Sequence, residues 1–154
     1  MKLTLLGTGC PVASAERYGP AQLIQDQERT LLIDCGSGVT QRLLGAGCNG
    51  AELDAIFITH LHSDHIVDLF QLIISSWHQG RDRPQRIIGP KGTQHHIEQL
   101  MALWQQEVIH RTEYEQRPST SALSVEVEEI QQGSMITIGS IDVTAVEVDH
   151  SFYH

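Results

Sequence analysis

A chain of 154 residues, 40% apolar and 19% charged, has enough apolar side chain to close around a core and too balanced a composition to stay disordered. Its formal net charge of -9, with neutral histidines, works against nucleic acid unless bound cations or a local basic patch offset it. The only basic grouping, Arg81 and Arg83 with Arg86 around Asp82, is short and mixed, and no segment has the length of a transmembrane span.

In chain order, Lys2–Leu6 reads as a first strand entering the glycine turn Gly7-Thr8-Gly9. Its apolar piece Leu3-Thr4-Leu5-Leu6 is too short for a signal-peptide core. Strands are expected at Ala21–Gln25 and Thr30–Asp34, then a helix over Val39–Ala46 with Gly47 as its stop. In the next strand, Ala55–Thr59, the run Ala55-Ile56-Phe57-Ile58 is apolar at every position, which predicts cover on both faces. A continuous helix should then start near Ser63, since Ile66, Leu69, Phe70, Ile73, Ile74 and Trp77 recur at helical spacing up to Gly80. A strand at Arg86–Ile88 and the Gly89-Pro90 break lead to a helix from Thr93 to Ile109. Thr93 would be its N-cap, and Ile97, Leu100, Met101, Trp104 and Val108 would share one face. The last strands fall at Leu123–Val127, Met135–Ile138 and Ile141–Val148, with Gly139-Ser140 as a hairpin turn. The class is therefore α/β (α+β), with a mainly apolar sheet in one domain over 1–154. Cys10, Cys35 and Cys48 lack Cys-x-x-Cys spacing, which argues against disulfides or a cysteine zinc site. All three are expected to be small buried apolar groups in a cytoplasmic protein.

Residues 59–70, THLHSDHIVDLF, hold the strongest chemical signal. His60 and His62 sit two apart just past a buried strand and can point the same way if the backbone there is extended. Asp64 and His65 open the following helix, and such strand-to-helix turns are where α/β proteins build sites. Neutral imidazole with carboxylate suits zinc, manganese or iron. His150 falls at the end of the last strand and is the natural third imidazole for an ion held by His60 and His62. His78, His95, His96 and His110 are expected to be ordinary solvated side chains; the adjacent His95 and His96 rings diverge on a helix. His154 stands open between ligand and loosely held terminus.

The pattern His60-x-His62-x-Asp64-His65 after an apolar strand resembles the signature of the metallo-β-lactamase superfamily. Leu5-Leu6-Gly7-Thr8-Gly9-Cys10-Pro11 and Leu32-Ile33-Asp34-Cys35-Gly36-Ser37-Gly38 resemble the opening motifs of its ribonuclease Z branch. Ile88-Gly89-Pro90-Lys91-Gly92 and Val148-Asp149-His150 resemble later ones. Ser63 stands where ribonuclease Z usually has glycine, which also resembles arylsulfatase-like members. The resemblance implies an αββα sandwich, of which this chain supplies the N-terminal half: a mixed sheet with flanking helices. It implies a metal-dependent hydrolase, first a ribonuclease Z-like phosphodiesterase of the tRNA 3′-end processing type using a metal-bridging hydroxide. The alternatives are an arylsulfatase-like or small-ester or lactone hydrolase, and a non-catalytic metal-binding fragment or assembly subunit. Two divalent ions are implied, zinc foremost, with manganese or iron admissible. His60, His62 and His150 would hold one; Asp64 and His65 would hold the second. Asp34 would orient ligands, and Asp64 would also take a proton from the attacking water. Members of the superfamily carry a bridging aspartate and a last histidine further on, whereas this sequence ends four residues after His150. A fragment with a weak second metal site and little activity is thus expected, before a truncation completed by another subunit or a homodimer across a bare sheet face. Partners implied are a phosphodiester, sulfate or ester substrate, including tRNA, and no membrane.

Overall fold

Alternation of apolar residues along each strand fixes which face meets which layer. The computed structural model describes residues 1–116 and 120–150. Its strands are β1 (Lys2–Gly7), β2 (Ala21–Gln25), β3 (Thr30–Ile33), β4 (Ala55–Phe57), β5 (Gln85–Gly89), β6 (Val125–Glu129), β7 (Met135–Ile138) and β8 (Ile141–Thr144). Its α-helices are α1 (Val39–Gly45), α2 (Ser63–Ile66), α3 (Leu69–His78), α4 (Thr93–Leu103) and α5 (Gln105–Glu115).

The six strands β1 to β6 lie side by side in sequence order. The first three pair antiparallel, β1 and β2 through the long connection 8–20 and β2 and β3 through a short one, and β3 to β6 pair parallel. Parallel neighbours need crossovers, and the helices supply them. The consequence for function is geometric: the carboxyl ends of β3 and β4 emerge beside one another, and Asp34 and His60 follow those two ends.

Toward the helices the sheet presents Leu23, Leu32, Ile56 and Ile87, which pack with Val39, Leu43, Leu69 and Leu72. Toward the other side it presents Leu31, Ala55, Phe57 and Ile88. The β7–β8 hairpin lies over that second face through Ile138 and Ile141, both buried. A two-stranded hairpin is marginal alone. Burying a side chain of this size stabilises by about 1.5–3 kcal/mol, which is enough to hold it down. The expected bare sheet face is therefore covered at its centre, while Leu3, Leu5, Val146 and Val148 stay exposed.

Several elements differ from the sequence expectation. The continuous helix from Ser63 divides into α2 and α3, with Asp68 at φ -90 and ψ 1. The helix from Thr93 divides at Trp104, whose ring leaves the helical path to stack on Phe70 at 4.6 Å. Thr93 does not cap it: Gly92, at φ 99, precedes the helix, and Glu129 Oε1 accepts from the Gly92 and Gln94 amides at 2.8 and 2.9 Å. The strand expected to reach Val148 stops at Thr144. Cys35 and Cys48 are buried as expected, whereas Cys10 is exposed, because the glycine turn carries it off the sheet. Among the described residues no helix is long and apolar enough to cross a membrane.

Candidate metal centre

The centre is assembled from three separated pieces of chain. Its frame is the turn after β3. Asp34 is buried and adopts φ 61, a left-handed conformation that aspartate tolerates better than most residues. Its amide donates to Phe57 O at 2.7 Å, extending the β3–β4 ladder by one bond and aiming its carboxylate across the end of β4.

That carboxylate orients two imidazoles. His65 Nδ1 lies 2.8 Å from Asp34 Oδ2 and donates to it, which leaves His65 Nε2 as the lone-pair nitrogen. The Thr59 hydroxyl lies 3.0 and 2.9 Å from the two Asp34 oxygens, and the Thr59 amide donates to Oδ1 at 2.8 Å. A hydroxyl has one proton to give. With that proton on Asp34, Thr59 Oγ1 accepts from His60 Nδ1 at 3.0 Å, so His60 also turns its Nε2 lone pair outward. The tautomers follow from these partners.

His60, His62 and His150 come together as expected: one nitrogen from each lies within 4.8 Å of the others. The ring centroids of His60 and His150 are 4.7 Å apart, those of His62 and His150 5.0 Å, and His60 Nε2 is 2.9 Å from His62 Nδ1. His150 reaches the cluster along the irregular segment after β8. That segment is tied back by Ala145, whose amide donates to Ser134 O at 2.8 Å and whose carbonyl accepts from Gly133 at 2.9 Å. Asp64 and His65 sit on the first turn of α2, with Asp64 Oδ2 3.7 Å from His65 Nε2 and the His65 ring 4.0 Å from His60. Burial, then the neighbouring His65, His62 and His150 rings, hold the His60 pKa below the usual 6.5, which favours the neutral ligand form.

Three convergent imidazoles and an adjacent carboxylate–imidazole pair are the donor set of a zinc, manganese or iron site, so these residues fit the ions that the resemblance implies. Cys35 lies nearby but is no candidate thiolate: burial, then the Asp68 and Asp34 carboxylates, push its pKa well above the ordinary range. A groove of about 390 Å³, lined by Cys10, Arg17, Tyr18, Ser37 and others, opens onto Asp64.

The remaining histidines stand apart from this cluster. His78 Nδ1 contacts Ile74 O at 2.8 Å and its Nε2 contacts Glu115 at 2.8 Å, tying α3 to α5. His110 stacks on Tyr114 at 4.4 Å, His95 is exposed and His96 half-buried. Residues 151–154, His154 with them, lie outside the described residues. Thr59 is the residue that the sequence reading missed. The sequence offered one signal for it, a hydroxyl at a strand end directly before the first histidine.

A family model described as Anti-Pycsar protein Apyc1 matches residues 1–153. The ribonuclease Z of Mycolicibacterium gilvum (strain PYR-GCK) is 35% identical over 153 residues, covering 97% of this chain and 53% of that protein. That of Mycobacterium sp. (strain KMS) is 37% identical over the same shares. Among solved structures, the metallo-β-lactamase fold protein YhfI from Bacillus subtilis aligns with TM-score 0.66 at 25% identity, covering 92% of this chain and 50% of that one. Human tRNase Z, short form, aligns with TM-score 0.66 at 29% identity, covering 84% and 45%. The chain spans about half the length of the curated relatives it matches. Matched almost throughout by that family model, and folded like these relatives, the chain belongs to the metallo-β-lactamase superfamily, in the family described as Anti-Pycsar protein Apyc1.

Proposed function

We propose that this chain carries the metal-binding half of a hydrolase that cleaves phosphodiesters, of the ribonuclease Z kind, with tRNA 3′ ends as the first substrate to try. The observation that carries this reading is the meeting of His60, His62 and His150 at the carboxyl end of β4, beside Asp64 and an Asp34-oriented His65. His60, His62 and His150 hold one divalent ion, zinc first, and Asp64 and His65 contribute to a second. When bound, such ions make water more acidic near neutral pH and offset negative charge building on a phosphoryl oxygen. The chain's own groups do the rest. Asp34 and Thr59 fix which imidazole nitrogens are free, Asp64 takes the proton of the attacking water, and the groove beside Asp64 receives the substrate. A homodimer in the cytoplasm belongs to the same reading, and sedimentation of the purified protein tests the dimer.

Relatives named ribonuclease Z and tRNase Z support phosphodiesters over other esters. The test is turnover of bis(p-nitrophenyl) phosphate and of a precursor tRNA with a 3′ trailer, beside an aryl sulfate and a lactone, with zinc or manganese supplied. Weak phosphodiester turnover that disappears in His150→Ala and Asp64→Asn is expected. Sulfate or lactone cleavage without phosphodiester cleavage would transfer the assignment to the arylsulfatase-like or lactone alternative. One tightly held ion per chain with no hydrolysis would make the protein a metal-binding module instead.

A further inference from the structure

The turn bearing Asp64 and His65 is a single helical turn, too short to hold its own shape. The sequence after it is built to continue as a helix. In an unbroken helix the Asp68 amide would donate to the carbonyl of Asp64. Here it donates to Cys35 O at 3.1 Å, while the Asp64 carbonyl is turned onto Gly36, where an added Cβ would lie 2.4 Å from it. The Cys35 amide returns a bond to His65 O at 2.7 Å. Asp68 closes the bracket with its side chain: Oδ2 accepts both the amide and the hydroxyl of the buried Thr40, each at 2.7 Å, in the first turn of α1. Besides the His65–Asp34 bond, four hydrogen bonds thus tie the strip 34–40 to the strip 64–68, and one residue, Asp68, makes three of them, one through its amide and two through its carboxylate.

We infer that Asp68 is a positioning residue for the metal centre: it interrupts the helix between α2 and α3 and so keeps Asp64 and His65 facing His60 and Asp34. This rests on the metal-centre reading above. Removing the carboxylate leaves the Thr40 donors unpaired and frees residues 63–69 to join the helix that their periodicity favours. That swings Asp64 and His65 off the centre, while His60 and His150, which lie outside the turn, and His62, whose extended backbone precedes it, stay in place.

The experiment compares the purified protein with Asp68→Ala, Asp68→Asn and Thr40→Val. Three readouts are taken: thermal melting, the proton resonance of His65 Nδ1 in metal-free protein, and zinc affinity by chelator competition. In Asp68→Ala the melt stays cooperative, the His65 Nδ1 resonance is lost to exchange, and the weaker zinc affinity drops roughly 10–100-fold with the tighter one unchanged. Asp68→Asn, which keeps an acceptor for Thr40, restores the resonance and most of the affinity. A folded Asp68→Ala protein with the resonance and both affinities intact overturns the inference. If Asp68→Ala fails to fold, Thr40→Val decides, and an unaltered resonance with an unchanged affinity at the weaker zinc site there overturns it too. A parent protein that takes up no zinc overturns the metal-centre reading instead. The His65 resonance, which needs no ion, keeps the two failures apart.

Discussion

Thr59 shows how much one hydroxyl decides. It passes the orienting effect of a buried carboxylate to a second imidazole, so that Asp34 sets His65 directly and His60 at one remove. Thr59→Val keeps the branched shape but removes the acceptor for His60 Nδ1. Divalent-ion affinity at the imidazole trio is expected to fall about tenfold, by chelator competition, and Thr59→Ser should recover it. His60 also gives a pH dependence with a definite sign. Burial first, then the adjacent histidines, lower its folded pKa below the ordinary 6.5. Between those two values the unfolded chain binds more protons, so the contribution is complete above pH 6.5 and is lost as pH falls through the folded value. Melting of the metal-free protein should therefore weaken on acidification from about pH 7 to about pH 5, and His60→Gln should flatten part of that decline. At this scale the histidines were legible from their spacing and strand-end places and Asp34 from the family resemblance, whereas Thr59 was not, because its role depends on a carboxylate from another strand.

Among the elements, strands were read more faithfully than helices. A strand announces itself by alternation, and β2 and β7 fall on the expected residues. The two long helices were each read as one piece because periodicity registers only which face is apolar. It does not register that the Asp68 amide finds Cys35 O, or that the Trp104 ring finds Phe70. Close backbone packing matters at the same places. Gly36 lies against the Asp64 carbonyl, and a Cβ there would meet backbone at 2.4 Å, which has no side-chain freedom to yield. Gly36→Ala should destabilise the protein by about 1–3 kcal/mol, read from the denaturation midpoint, and weaken metal binding with it. An alanine at Gly45, where nothing lies within 4 Å of the added Cβ, serves as the control that leaves metal binding unchanged.

Over the whole molecule, the sheet carries two layers, and the hairpin on its second face does double duty. It covers Leu31, Phe57 and Ile88, and it aims the segment that ends at His150. Ile141→Ala removes one of its two buried anchors. A loss of about 2–5 kcal/mol is expected from a core truncation of this kind. Because His150 follows β8, ion affinity should fall alongside stability, whereas truncating an exposed residue of the same hairpin, as in Met135→Ala, should move neither. Amide exchange across β7 and β8 together with zinc titration would show this; undiminished affinity with a frayed hairpin would separate His150 from the hairpin's support. The acidic balance of -9 acts at this scale too, since any polyanionic substrate approaches against it until ions are bound.

The sequence by itself determined the order of the strands, the buried central strand, and the identity of five ligand candidates, with Asp34 added by the family resemblance. Each of these is written in local spacing, or in a motif whose residue types allow little other chemistry. The meeting of His150 with His60 and His62, expected from its place after the last strand, is what the folded chain shows. Only the tertiary structure decided that Thr59 relays Asp34 and that the turn bearing Asp64 and His65 is cut from α3 at Asp68. The physical reason is common to both. A backbone amide or a ring nitrogen takes the best partner available in the folded chain, and when that partner lies far along the sequence, local pattern carries no trace of it.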